Sequence, residues 1–254
     1  MSLRLMLLAG FLFLYGPIAI LVTMSFNASR LVTVWGGFST KWYAALWSNE
    51  AMLNAAQVSF SAAALSAALA TLLGLLAAVA LARFGAFVSR ALFFGAVHAP
   101  LVLPEVVLGL GLLSLFVALG APRGFVTLVI AHTTFTMCFT TVALLAALRG
   151  CDPALEEAAM DLGAPPVQAF ALVALPQIAP ALISAFLLAF TLSLDDLVIA
   201  SFATGPGATT LPMRIYSQVR LGVTPEVNAI STLLLAAVAV ALALSALVTR
   251  RARE

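Results

Sequence analysis

The chain has 254 residues, of which 63% are hydrophobic and only 9% are charged, and its formal net charge is +2. A soluble domain carries about 25% charged and about 45–50% apolar residues, so this composition excludes an ordinary soluble protein. The small net charge offers no support for a nucleic-acid partner. Long unbroken apolar runs, in place of short alternating strands, exclude an outer-membrane barrel. The sequence therefore predicts an all-α, polytopic membrane protein.

Six apolar segments are long enough to cross the hydrocarbon core, which takes about 20 helical residues. The first exceeds the apolar part of a signal peptide, and no A-x-A-like cleavage site follows it, so we interpret it as a membrane span. The larger share of the 12 Lys and Arg residues lies at span ends on the side of the N-terminus. The positive-inside rule then places both termini in the cytoplasm. The predicted spans are residues 5–26, 57–82, 91–119, 125–148, 178–202 and 229–248.

The segments in and between the first spans carry their own signals. The connection 27–56 contains all three tryptophans. Because tryptophan favours the membrane–water interface, we expect an amphipathic helix on the outer surface there. Small residues dominate 62–82, which predicts close packing against another helix in lipid.

Pro100 and Pro104 predict a kink in the third span, because proline removes a backbone donor and clashes with the preceding turn. A kink exposes backbone carbonyls, which a membrane tolerates only beside protein or a water-filled cavity. Glu105 directly follows the kink and is therefore a candidate for a polar pathway. His98 and His132 lie on different predicted spans with no cluster of further ligands, so we interpret them as packing or hydrogen-bonding residues rather than as a metal site.

The segment 149–176, between the fourth and fifth spans, begins with a short helix whose two ends are marked. Asp152 is a suitable N-cap, and Gly163 lies where a helix ends in the left-handed conformation. A second short helix is expected to begin at Pro166 and to be broken by Pro176 before the fifth span.

The first of these short helices is too small to be stable alone in water and needs a packing partner. Ala158 and Ala159 form a flat apolar patch flanked by Glu157 and Asp161, which suits a groove on another protein. The alternative is a helix on the inner membrane surface, although acidic residues disfavour that position against an anionic leaflet. We therefore expect this helix to dock onto a separate protein.

Asp195 and Asp196, in the predicted fifth span, join Glu105 in a one-sided set of intramembrane charges. No Lys or Arg lies firmly inside a predicted span to neutralise them, and ionisable groups at such depth are usually functional. Counted from residue 178, Asp195 lies about 25 Å along a helix, in the outer half of the bilayer. Adjacent helix residues point about 100° apart, so one aspartate can line a pathway while the other caps a backbone group or contacts a neighbouring chain. In the alternative, both bond only to nearby loop backbone or to a partner subunit.

The loop 149–176 resembles the coupling loop of ABC importer permeases, whose pattern is E-A-A-x3-G-x9-I-x-L-P. The resemblance implies a type I importer permease fold, with 1–254 as one transmembrane domain around a core of 53–248. It also implies that the loop docks into a separate ATPase subunit, where Glu157 pairs with a basic residue, while Gly163 makes the turn between the short helices. The matching residues are Glu157, Ala158, Ala159, Gly163, Leu175 and Pro176, with Val173 where Ile is usual.

Three further segments resemble the permeases of spermidine/putrescine importers. The resemblance implies a non-hydrolysing subunit in the bacterial inner membrane, without a cofactor. Its implied partners are a second, different permease, a dimer of ATP-binding subunits and a periplasmic polyamine-binding protein. The acids Glu105, Asp195 and Asp196 independently fit a cargo with two positive charges, and Tyr216 is a candidate for a cation–π contact with it. The three segments are residues 193–202, 205–212 and 219–229.

Other hypotheses stay open. An ABC permease for another small cationic solute would carry the same coupling loop. A proton-coupled secondary transporter would use the three acids as relays, but the inverted repeat of many such folds is missing. An intramembrane aspartyl hydrolase would need Asp195 and Asp196 to share a proton, which adjacent helix residues do poorly. Lys41, the single lysine, lies outside any Gly-rich loop, so the chain lacks a phosphate-binding loop for ATP hydrolysis.

Overall fold

The structure is a computed structural model that describes the backbone of residues 3–31, 33–221 and 224–251, and the side chains of 4–31, 33–220 and 224–240. These residues form helices, loops and one isolated antiparallel bridge between Asn27 and Phe38. In chain order the helices are α1 Leu3–Ser25, α2 Lys41–Trp47, α3 Glu50–Arg83, α4 Arg90–Val102, α5 Glu105–Ala118, α6 Phe125–Gly150, α7 Pro153–Asp161, α8 Pro166–Ala169, a π-helical turn Phe170–Ala174, α9 Leu175–Leu194, α10 Val198–Ala203, α11 Leu211–Leu221 and α12 Pro225–Arg251.

The predicted all-α, multi-span class is confirmed. Four helical stretches of the described chain are long and apolar enough to cross a membrane, and the number rises to five when the bent pair of α4 and α5 counts as one span. Within α12 the described apolar part, Pro225–Val240, is shorter than these. The remainder of the predicted sixth span, 241–248, lies outside the side chains that the structure describes.

The chain divides into two compact units. The first comprises the described residues of Met1–Ala56 and Met213–Val240, and the second those of Gln57–Pro212 and Ala241–Glu254.

In the first unit, the loop after α1 is organised by the fully buried Asn27. Its Oδ1 accepts hydrogen bonds from the amides of Ser29 at 3.0 Å and Gly36 at 2.7 Å. Its Nδ2 donates to the carbonyl of Val34 at 2.7 Å, and Trp42 Nε1 donates to the Asn27 carbonyl at 2.7 Å. The hydrogen bonds of Asn27 thus hold the loop together. The amphipathic helix predicted in this region is limited to α2, which has only 7 residues.

The predicted third span is two helices, α4 and α5, that meet at an angle of 117°. The expectation of a single kinked helix is therefore corrected to a break. Pro104 is its cause, since a proline disfavours helical geometry in the residue before it, and Leu103 is indeed extended at φ −74° and ψ 135°. Pro100 lies inside α4 without ending it.

The predicted fifth span, 178–202, is interrupted, whereas the helix break expected before it, at Pro176, is absent. Pro176 does not interrupt the helix. The π-helical turn before it lets the amide of Leu175 donate a hydrogen bond to the carbonyl of Phe170, five residues back. This wider turn accommodates the missing proline donor. The interruption lies instead at 195–197, between α9 and α10. Asp195 and Asp196 therefore occupy a break rather than the interior of a helix.

In the second unit, α3, α6 and α9 pack closely through small residues. Ala67, Ala70 and Ala189 are fully buried against one another. The Thr140 hydroxyl of α6 donates to the Ala70 carbonyl of α3 at 2.7 Å. A Cβ added at Gly74 would collide with the Thr140 hydroxyl. The expected close packing of the small-residue segment is thus present, because small residues let helix backbones approach in lipid.

Replacing Gly74 with Ala is expected to lower the thermal unfolding temperature of the detergent-solubilised chain, since overpacking costs about 1–3 kcal/mol. Gly111→Ala, inside α5, is the matched control, because a Cβ there meets nothing within 4 Å. Gly111→Ala should keep or slightly raise the unfolding temperature, since Ala favours helix by up to about 1 kcal/mol. Equal unfolding temperatures for the two variants would contradict the proposed close approach of α3 and α6.

Candidate functional site

The second halves of the two interrupted spans, α5 and α10, pack together in the second unit. Phe116 of α5 lies in one buried cluster with Ile199 and Ala203 of α10. A Cβ added at Gly109 would lie 2.6 Å from the Phe202 ring, so only glycine permits this approach. Packing α5 on α10 places the two breaks near one another, and with them the residues at which each helix begins.

This packing brings the three predicted acids together. Glu105 is the first residue of α5, and it lies close enough to act electrostatically on both Asp195 and Asp196. Acids at the start of α5 and just before α10 also suit the positive ends of these helices. The three predicted carboxyl groups therefore lie near one another, at the meeting of two broken helices.

The two aspartates differ in environment. Asp195 is exposed and closes α9. Asp196 is 8% exposed, and its Oδ1 accepts a hydrogen bond from the amide of Ala200 at 2.8 Å, in the first turn of α10. Asp196 therefore serves as a cap for α10, whereas Asp195 presents its carboxylate outside the packed core. The expected division between a pathway residue and a capping residue fits this arrangement.

A buried polar chain leads away from Asp196. His132 of α6 places Nε2 3.7 Å from Asp196 Oδ1 and Nδ1 2.6 Å from the Ser193 hydroxyl. Ser193 in turn lies 3.0 Å from the hydroxyl of Ser66 on α3. The structure thus makes His132 a hydrogen-bonding residue, as expected, but its link to the acids was not predicted. No sequence pattern predicts this link, since Ser66, His132 and Ser193 share no regular spacing.

Tyr216 belongs to the first unit, whereas the three acids belong to the second. Tyr216 is 45% exposed, and the Arg220 guanidinium lies 4.7 Å from the centroid of its ring. Arg220 also donates to the Tyr216 hydroxyl at 2.6 Å. This cation–π contact is made within the chain, and the predicted contact of Tyr216 with the cargo stays a prediction.

The predicted short helix of the loop is α7, and the residues predicted to begin and end it, Asp152 and Gly163, do so in the structure. Asp152 Oδ1 accepts a hydrogen bond from the amide of Ala154 at 3.0 Å, as an N-cap does. Gly163 has φ +93°, in the left-handed region that favours glycine. The amide of Ala164 bonds back to the carbonyl of Ala159 at 3.1 Å, which closes the helix end.

The residues of α7 that were predicted to dock are exposed or half-buried. Among the described residues no side chain of α7 is buried, with Glu157, Ala158 and Asp161 exposed and Ala159 half-buried. The loop is tied to α3 by an ion pair between Arg83 and Glu156, the neighbour of Glu157. A cleft of about 580 Å³ lies between α3 and the two short helices α7 and α8, whose side chains line it. Glu156 is thus used internally, whereas Glu157 is not ion-paired within the described chain.

Comparison with known proteins places the chain among transport permeases. A family profile described as "binding-protein-dependent transport system inner membrane component" matches residues 70–253. The chain is similar to the putrescine transport system permease protein PotI of Escherichia coli (strain K12), with 53% identity over 240 residues that cover 92% of this chain and 85% of the relative. It is also similar to the spermidine/putrescine transport system permease protein PotC of the same organism, with 43% identity over 242 residues, 95% of this chain and 91% of the relative.

A solved structure shares the fold. It is a bacterial ABC transporter involved in the import of the acidic polysaccharide alginate, with a TM-score of 0.72, covering 98% of this chain and 93% of that one. The sequence identity is 17%, so this likeness concerns the fold alone.

Asp196→Ala is expected to destabilise the chain, because it removes the cap of a buried amide, at a cost of about 1–3 kcal/mol. Asp195→Ala, one residue earlier, should leave stability nearly unchanged, since its side chain is exposed. Thermal unfolding in detergent, monitored by tryptophan fluorescence, checks both. If Asp195→Ala were the more destabilising variant, the division of roles would be wrong.

Proposed function

The chain belongs to the family of binding-protein-dependent transport system inner membrane components, and we propose that it is the permease subunit of a bacterial ATP-driven importer of putrescine and spermidine. The relatives named above are putrescine and spermidine/putrescine permeases. The structural observation that carries the proposal is the meeting of Glu105, Asp195 and Asp196 at the two helix breaks. This placement supports a cation site on the transport pathway.

The broken helices favour a cation site for physical reasons. A helix break at membrane depth is tolerated only beside protein or a water-filled cavity. The exposed carboxylates of Glu105 and Asp195 have no ion-pair partner among the described side chains. A diamine with two positive charges would supply the missing counter-charge. In this scheme Glu105 and Asp195 contact the cargo, whereas Asp196 caps α10.

The coupling role of the loop is proposed from its exposed surface. Glu157, Ala158, Ala159 and Asp161 would fill a groove on a separate ATPase subunit, with Glu157 paired to a basic residue there. Gly163 would set the turn after the helix. Because Arg83 of α3 forms an ion pair with the neighbouring Glu156, a displacement of α7 would be transmitted directly to α3.

The chain is an inner-membrane component, and its named relatives are permeases rather than enzymes. We propose that it forms a heterodimer with a different permease, above two ATP-binding subunits and below a periplasmic polyamine-binding protein. Both termini would lie in the cytoplasm. The whole of 1–254 would form one permease domain, with its core at 53–248 and its coupling loop at 149–176.

Two other candidates give different results in one experiment. A permease for another small cation would import that solute with the same ATP requirement. A proton-coupled secondary transporter would import polyamine without ATP and would stop with a proton uncoupler. The proposed importer requires ATP hydrolysis by its partner and continues in the presence of the uncoupler.

The cation site is tested with Glu105→Gln and Asp195→Asn in the complete transporter in liposomes. Uptake of radiolabelled putrescine below saturation is expected to fall about tenfold or more in the double variant, since a tenfold loss of affinity equals about 1.4 kcal/mol. Glu50→Gln, the same change at an exposed acid of α3, is the control and should retain wild-type uptake. Wild-type uptake by the double variant would refute a cation site at the breaks.

The coupling turn is tested with Gly163→Val. A β-branched residue at positive φ costs about 1–3 kcal/mol of strain, although its Cβ would meet nothing within 4 Å. Gly150→Val, at the end of α6, is the matched control, because Gly150 is also open and is not among the positive-φ glycines.

Gly163→Val should transport severalfold less putrescine per ATP hydrolysed, measured as uptake and phosphate release in the same vesicles. Gly150→Val should keep the wild-type ratio. An unchanged ratio in Gly163→Val would remove the turn from the coupling path.

A further inference from the structure

The hydrogen bonds that join Ser66, Ser193 and His132 beside the acids can be assigned donors and acceptors. Ser66 has a single hydroxyl proton and two close oxygen neighbours, the carbonyl of Ala62 at 2.6 Å and the hydroxyl of Ser193 at 3.0 Å. A carbonyl cannot donate, so the Ser66 proton must point to Ala62. Ser193 must then donate to Ser66.

This direction fixes the protonation of one histidine nitrogen. The single hydroxyl proton of Ser193 is used toward Ser66, so Ser193 can only accept from His132, at 2.6 Å. His132 Nδ1 therefore carries a proton. In the neutral ring the other nitrogen, Nε2, then has a bare lone pair.

The environment of Nε2 leaves that lone pair with one neighbour. His132 is 1% exposed, and its Nε2 is buried without a hydrogen-bond partner. The nearest ionisable atom is Asp196 Oδ1, at 3.7 Å. A nitrogen lone pair facing a carboxylate oxygen in a dry interior is repulsive, and a buried polar atom without a partner costs about 1–3 kcal/mol. A proton between the two atoms turns this repulsion into an attraction.

The charged groups that act on Asp196 are both acids. Glu105, at the start of α5, and the adjacent Asp195 both act electrostatically on Asp196. Cys138, farther along α6, donates its thiol proton to the carbonyl of Phe135. Among the described side chains no Lys or Arg forms an ion pair with these acids.

We infer that His132 Nε2 and Asp196 Oδ1 hold one proton between them, and that this pair positions the break that presents Asp195. The bound proton joins α6 to the start of α10, while the other side of the imidazole joins α9 and α3 through Ser193 and Ser66. Loss of the proton would push His132 and Asp196 apart and would loosen the cap of α10. His132 is thus a positioning residue, and it does not touch the cargo.

The proton site stands without the proposed function, whereas its effect on uptake rests on that function, so two measurements separate them. The first uses the full chain in lipid nanodiscs with ¹⁵N-labelled imidazole groups. The chain has only two histidines, so a His98→Asn background leaves His132 as the single signal. The expected spectrum shows a protonated Nδ1, and an Nε2 signal that moves toward that of an unbonded nitrogen in Asp196→Ala.

An unprotonated Nδ1, or an Nε2 signal unaffected by Asp196→Ala, would overturn the proton site. This result would leave the polyamine proposal untouched, since it involves no transport.

The second measurement is the KM for putrescine of the reconstituted transporter between about pH 5 and about pH 8, where imidazole groups titrate. The wild-type KM is expected to follow a one-proton curve. Asp196→Asn keeps an oxygen for the Ala200 amide and adds a permanent donor toward Nε2, so its KM should be independent of pH.

His132→Asn keeps a donor toward Ser193 but removes Nε2, so its KM should be raised severalfold and be independent of pH, while kcat changes little. A wild-type curve as flat as that of Asp196→Asn, or an unchanged pH curve in His132→Asn, would overturn the positioning role. A purely structural role of His132 would lower the amount of assembled complex without changing the pH profile.

Discussion

A backbone N–H or C=O group inside a hydrocarbon layer has no water to bond, and each unpaired group costs several kcal/mol. Two interrupted spans therefore need polar side chains from elsewhere in the chain. Asp196 accepts from the Ala200 amide at the start of α10. At the other end of α10, the Thr127 hydroxyl of α6 donates to the Ala203 carbonyl at 2.8 Å. Both ends of this short helix are thus satisfied by side chains, and the break that carries the acids is held in place by the same bonds.

The same constraint explains how so apolar a chain packs specifically. Burial of apolar surface does not drive helices together in lipid, so close backbone contact and hydrogen bonds must do so. Alanine and glycine along α3 give the close contact. The hydroxyls of Thr140 and Ser193 give the hydrogen bonds, one to the Ala70 carbonyl and one to Ser66. Polar residues in this core therefore serve both as helix contacts and as the supports of the acidic site.

The sequence was sufficient for features that depend on local chemistry. The cap at Asp152 and the left-handed turn at Gly163 follow from neighbouring residues. Pro104 indicated a change of direction before Glu105, although the structure has a break there where a kink was expected. The sequence was not sufficient where a distant contact decides the structure. The break at 195–197 has no Gly or Pro, and the buried chain through His132 requires the packed arrangement of three helices. The helix α11 was missed because it is too polar for a span, although its early proline suits a helix start.

The proposed coupling needs no relay of side chains, because one continuous helix joins the turn after α7 to the break at 195–197. Helix is continuous from Pro166 to Leu194, about 43 Å at 1.5 Å per residue. The short helix α7 and the turn at Gly163 precede its first residue, and Asp195 follows its last. A displacement of the loop thus moves the acidic break as part of one element, and the π-helical turn before Pro176 is the place where the helix departs from regular geometry. In this scheme the pair of His132 and Asp196 sets the resting position of the break at one end of the helix, and the proposed ATPase acts at the other end.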